Sequence, residues 1–151
     1  MKIVYSHLLN LLEQKPKLEE LSELLFQLGH EHEIDGEVLD MEITPNRGDC
    51  LSLTGLARDL NYFYQAKELP KSDMEMPALD LQFDNKAQEL CPNISFMEIE
   101  IEKVPTKYEP YLESYFADLG INKNNFFTDI SNYLAYESGQ PTHCFDQSTM
   151  Q

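Results

Sequence analysis

Asp129 to Asp146 reads D-I-S-N-Y-L-A-Y-E-S-G-Q-P-T-H-C-F-D and gathers a hydroxyl, an amide and an imidazole around one helical stretch. Ser131, Asn132 and His143 are residue types that can orient a water and stabilise a tetrahedral oxyanion without a covalent nucleophile. A helix that only had to pack needs no such cluster about its ends, so the segment reads as the wall of a site. A purely structural role is open beside it: Ser131 and Asn132 cap a helix, and His143 bonds a backbone carbonyl beside Pro141. His143 and Cys144 are adjacent in an extended segment and project to opposite sides, which excludes a direct cysteine-protease pair.

Two further groups of residues have chemical potential. His30 and His32 share a strand face and could hold a metal, but no third ligand accompanies them, and exposed strand residues are the expectation. Arg47, in T-P-N-R-G-D, and Arg58 are candidates for RNA phosphate or for structural contact; for Arg47, pairing with Asp49 or Asp59 is the preferred reading. No glycine-rich phosphate loop is visible, so ATP chemistry and bound cofactors are not expected of this chain.

The elements that must position these residues follow from periodicity. Ser6 is read as the cap of a short helix over His7 to Gln14, and leucines 18, 21, 24, 25 and 28 mark an amphipathic helix stopped by Gly29. Residues 30–34 and 37–43 flank Asp35-Gly36, a hairpin turn signal, and Leu39, Met41 and Ile43 alternate with Asp40 and Glu42. Asp49 is the expected cap of a helix carrying Leu53, Leu56, Ala57, Leu60 and Phe63 on one side. Residues 67–77 read as a linker. Leu79, Leu81 and Phe83 alternate as one strand, and Met97, Ile99 and Ile101 as another. Helices are expected over Leu112 to Leu119 and from about Asp129 to Glu137. The fold class is α+β: a helix, hairpin and helix unit over residues 1–66, a linker over 67–78, and a second α+β region over 79–151.

A chain of 151 residues buries roughly 70% of its extended surface, enough for one medium core or two small ones. Hydrophobic content of 42% against 25% charged describes a folded chain rather than a disordered one. The 27 acidic and 11 basic residues give a formal charge of −16, which argues against autonomous nucleic-acid binding; any RNA contact would need a partner's basic surface. Cys50, Cys91 and Cys144 show no C-x-x-C spacing, and Met1 to Tyr5 leads straight into a helical pattern. A cytoplasmic chain with reduced thiols and no membrane segment is expected.

Met41-Glu42-Ile43-Thr44-Pro45-Asn46-Arg47-Gly48-Asp49-Cys50-Leu51-Ser52, Gly55-Leu56-Ala57-Arg58-Asp59, Cys91-Pro92 and the Asp129 to Asp146 segment occur in an informative order. In that order they resemble the β subunit of bacterial phenylalanyl-tRNA synthetase, which carries E-I-T-P-N-R-x-D-C-L-S, G-x-A-R-D/E, Cys-Pro and D-x-T-N-Y-x-x-x-x-x-G-Q-P-x-H-x-F-D. The resemblance implies a B1-like domain over 1–66 and the first part of a B3/B4-like editing domain over 79–151. The OB-fold tRNA-binding domain that the family inserts between positions matching Gly29 and Glu37 has no room here. It also implies an editing pocket that hydrolyses tyrosine misattached to phenylalanine tRNA, with Ser131-Asn132 matching the family's Thr-Asn pair and His143 its pocket histidine. The acidic residue that recognises the tyrosine hydroxyl has no counterpart. The implied partners are the synthetase α subunit, the remainder of the β subunit and, within the complex, tRNA; ATP and Mg would serve the complete enzyme. A shortened non-enzymatic interaction module and a stand-alone hydrolase acting in trans are the alternatives.

Overall fold

A computed structural model of the chain describes residues 1–68 and 78–149. They fall into two compact units, one of residues 1–68 and 105–149, the other of residues 78–104.

The first unit opens with β1 (Lys2–Val4), which runs directly into α1 (Tyr5–Asn10). This corrects the expected helix over His7 to Gln14 with a Ser6 cap: Val4 holds the N-cap position and no side chain caps the helix. The reason is tertiary, since the Tyr5 amide donates to Glu37 O at 2.8 Å, so the hairpin satisfies a donor that a serine would otherwise serve. α2 (Leu18–Gln27) forms as the leucine spacing predicts, burying Leu21, Leu24 and Leu25, and Gly29 at φ +86° ends it.

β2 (Glu31–Asp35) and β3 (Val38–Glu42) make the Asp35-Gly36 hairpin, and the antiparallel sheet runs in the order β1-β3-β2. Register pairs Ile3 with Leu39 and Ile34 with Leu39 across the central strand. Leu39 and Met41 face the core while Asp40 and Glu42 face solvent, as alternation requires. The expectation of exposed histidines fails: His30 and His32 are both buried. Each ring has a polar partner, Ser22 of the preceding helix for His32 and Asp59, twenty-nine positions on, for His30, which a strand pattern cannot reveal.

Pro45–Cys50 forms a 3-10 turn, and α3 (Leu53–Tyr64) follows. Its cap is Ser52, not Asp49: the Gly55 amide donates to Ser52 Oγ at 3.0 Å. α4 (Pro110–Asp118) and α5 (Phe126–Ser138) complete this unit, so the two C-terminal helices lie in one compact unit with the first 68 residues. Its core joins Leu8, Leu25, Leu39, Leu56 and Leu60 to Leu112, Tyr115 and Phe116. Each such side chain contributes about 1.5–3 kcal/mol by leaving water, which is how a three-stranded sheet with short strands is stabilised.

In the second unit, Leu79, Leu81, Phe83, Ile94 and Phe96 line an open groove of about 260 Å³, and the rings of Phe83 and Phe96 approach to 4.7 Å. No strand forms at residues 79–83 or 97–101, correcting the sequence expectation. Alternation supplies an apolar face to each segment, but a strand also needs a hydrogen-bonding neighbour in register, and neither segment has a strand partner among the described residues. Most of the expected linker, residues 69–77, lies outside the described residues. Among the described residues no helix is long and apolar enough to cross a membrane.

Candidate functional site

α5 carries Ser131 and Asn132 on its second turn rather than at its end. The helix begins earlier than periodicity indicated because Asn125 is the N-cap, its side-chain oxygen accepting from the Thr128 amide at 3.1 Å. Neither Ser131 nor Asn132 therefore caps a helix. Asp129 braces the entry: it is buried, accepts from Tyr108 Oη at 2.6 Å, and accepts from the Asn124 amide at 2.9 Å. Burial first, and the Asp129 hydrogen bond second, push the Tyr108 hydroxyl up to about 12, so it acts as a donor throughout the physiological range.

Gly139 closes α5 in the left-handed conformation at φ +74°, its amide donating to Ala135 O at 2.9 Å. The chain then turns through Gln140, Pro141 and Thr142 to His143. Cys144 Sγ comes to 3.9 Å from Ser131 Oγ and 4.0 Å from Phe127 O, so the returning segment lies along α5 at the turn bearing Ser131. His143 is exposed and packs edge-on to Phe145, ring centroids 4.6 Å apart. Asn132 is half-buried and makes no side-chain hydrogen bond among the described residues. The structure thus brings Ser131 to the residue next to His143, while the His143 ring packs on Phe145. Ser131 and Asn132 lie on α5 and His143 on the segment that returns along it.

Arg47 and Arg58 belong to a second cluster. Arg47 Nε donates to Asp49 Oδ1 at 3.1 Å and its Nη2 to Asp49 Oδ2 at 3.2 Å, the fork geometry suited to guanidinium. The same Nη2 bonds Asp59 Oδ2 and lies 2.8 Å from Cys50 Sγ. Arg58 bonds Asp49. The Arg47 hydrogen bond, helped by its charge against burial, holds the Asp49 carboxyl at about 2. Burial would raise Asp59, but hydrogen bonds from Arg47 and His30 outweigh it and the net shift is downward. Burial, then the Asp59 charge, push the Cys50 thiol up to about 11, which keeps it protonated.

His30 was missed as a member of this cluster. Its Nε2 donates to Asp59 Oδ2 at 3.0 Å, and His30, Cys50 and Asp59 present ligand-type atoms within 4.8 Å of one another. Cys50 and Asp59 both bond the Arg47 guanidinium and His30 bonds Asp59, so among the described residues the set forms an ion-pair and hydrogen-bond network. His32 turns elsewhere: Nδ1 donates to His30 O at 3.0 Å, and Nε2 is 2.9 Å from Ser22 Oγ. The two histidines do not converge on one ligand. Their ring partners lie on different helices, Asp59 on α3 and Ser22 on α2, and the i, i+2 spacing alone carried no trace of this.

The comparisons with known proteins agree on one family. The chain is 31% identical over 126 residues to the phenylalanine–tRNA ligase beta subunit of Psychrobacter arcticus, covering 78% of this chain and 15% of that protein. It is 34% identical over 128 residues to the subunit of the same name in Thermotoga maritima, covering 82% of this chain and 16% of that protein. With that of Rhodopirellula baltica, identity is 35% over 138 residues, 85% of this chain and 20% of that protein. The chain thus spans about 15% to 20% of the length of these relatives. No family model matches it. No solved structure matches it.

Proposed function

This chain belongs to the phenylalanine–tRNA ligase β-subunit family, matching a short part of each relative, and on that premise we propose that it supplies scaffold and one wall of an editing pocket. The pocket would hydrolyse tyrosine esterified in error to phenylalanine tRNA, within a cytoplasmic complex containing an α subunit and further β-subunit sequence. The observation that carries the reading is the 3.9 Å approach of Cys144 to Ser131, which supports the two halves of the D-I-S-N and H-C-F-D motif working on one ligand. Ser131 and Asn132 would bond the ester or ribose, and the His143 imidazole would orient the water or donate to the oxyanion.

The test is deacylation of tyrosylated phenylalanine tRNA by the assembled enzyme. His143→Ala should slow it roughly a hundredfold, the usual loss for one donor to a developing oxyanion, with aminoacylation unchanged. An unchanged deacylation rate would overturn the role given to His143. A second reading, a module that docks a protein partner without catalysis, is favoured by the apolar groove of Leu79, Leu81, Phe83, Ile94 and Phe96. Under that reading the chain binds partner subunits equally well with and without His143.

A further inference from the structure

α5 ends against the loop that precedes α3. A Cβ placed on Gly139 would lie 3.2 Å from Ser52 Cβ, 3.4 Å from Ser52 Oγ and 3.5 Å from Leu51 O. Gly120 ends α4 in a similar left-handed conformation, at φ +65°, yet a Cβ there would meet nothing within 4 Å. Backbone angle alone accounts for Gly120; Gly139 is required both by its angle and by close approach.

The surface that Gly139 meets is stiff. Ser52 is buried, caps α3 through the Gly55 amide at 3.0 Å and lies 3.2 Å from Thr54 Oγ1. The preceding turn is tied by Arg47 to Asp49 and Asp59, and Gly55 packs so tightly that a Cβ would fall 2.0 Å from Asp49 O. The residues leaving this contact are those that deliver His143 and then set Cys144 against Ser131.

We infer that Ser52 and Gly139 form a seat that positions the His143 segment along α5, making Gly139 a positioning residue for the hydrolysis proposed above. The functional meaning rests on that reading; the seat itself does not. The geometry links the T-P-N-R-G-D-C-L-S loop to the G-Q-P-T-H-C segment, two stretches nearly ninety residues apart in sequence.

A proximity cross-link tests it in the full chain. With Cys91→Ser removing the other exposed thiol, Ser131→Cys places a sulfur opposite Cys144, and the rate of disulfide formation under mild oxidation reports the seating of the segment. Gly139→Asn tolerates the positive φ but introduces the Cβ contact, and should slow cross-linking about tenfold. Gly120→Asn, with the same conformational demand and open space, should leave the rate unchanged. Ser52→Gly, which keeps most of the cap's stability, should bring Gly139→Asn back to within about twofold of the parent rate. Equal rates in the Gly139→Asn and Gly120→Asn proteins, or no rescue by Ser52→Gly, overturn the seat. If parent cross-linking and rescue behave as stated but tyrosyl-tRNA deacylation is absent from the assembled enzyme, the editing reading fails and the seat stands.

Discussion

Asp59 receives hydrogen bonds from both His30 and Arg47, and the Cys50 thiol lies 3.6 Å away. Removing its charge leaves part-buried donors unmatched, so Asp59→Asn should cost roughly 1–3 kcal/mol near neutral pH, read from urea midpoints. The pH dependence has a definite sign. Asp49 and Asp59 titrate below their unfolded values near 4, so their contribution is full above that value and is lost as pH falls toward the folded pKa, about 2 for Asp49. The fall in urea midpoint between about pH 4 and pH 2 should be smaller in Asp59→Asn, and an identical fall would remove Asp59 from the acid response. Arg47 could be paired with Asp49 or Asp59 from the sequence because all three sit within one turn and helix. His30 could not, since its bond to Asp59 spans twenty-nine positions and depends on how the end of α2 packs near α3.

The hairpin places like charges opposite each other: Glu31 pairs with Glu42 and Glu33 with Asp40. Direct cross-strand carboxylates repel, so Glu33→Lys should raise stability by about 0.2–1 kcal/mol, the gain shrinking with added salt, as thermal melts at two ionic strengths would show. An equal gain at both ionic strengths would assign it to something other than charge. α2 and this hairpin were legible because their apolar periods are unbroken and their ends carry Gly29 and Asp35-Gly36. The helix starts were less so. Glu37 O serves the first turn of α1, Ser52 displaces Asp49 as the cap of α3, and Asn125 lengthens α5 so that Ser131 and Asn132 move inside it. Of these, Asn125 and Ser52 carry a readable signal, a capping residue three positions before the amide it receives. Residues 79–83 and 97–101 alternate as strands do, yet alternation specifies a face and not a neighbour.

Across the larger unit, α4 is the element that knits early and late residues together. The Tyr115 ring stacks on His7 of α1 at 4.8 Å and meets Tyr133 and Tyr136 of α5 edge-on at 5.1 and 6.3 Å. Tyr115→Ala should therefore cost about 3–5 kcal/mol and lower hydrogen-exchange protection in α1 and α5 together with α4. Loss confined to α4 would mean that the helices open independently. Sequence periodicity indicated α4 and most of α5 but could not say that they share one core with α1, because nothing in a local pattern encodes which apolar faces meet. The arginine network has a consequence for encounter with any polyanion. Arg47 and Arg58 are the chain's two arginines, and both are engaged with Asp49 and Asp59, while the chain as a whole carries −16. Its long-range field therefore repels a polyanion, and dissolved ions soften that repulsion. For this chain, ionic strength works in the reverse of its usual sense at a nucleic-acid surface: salt eases the approach of a polyanion instead of weakening its attraction.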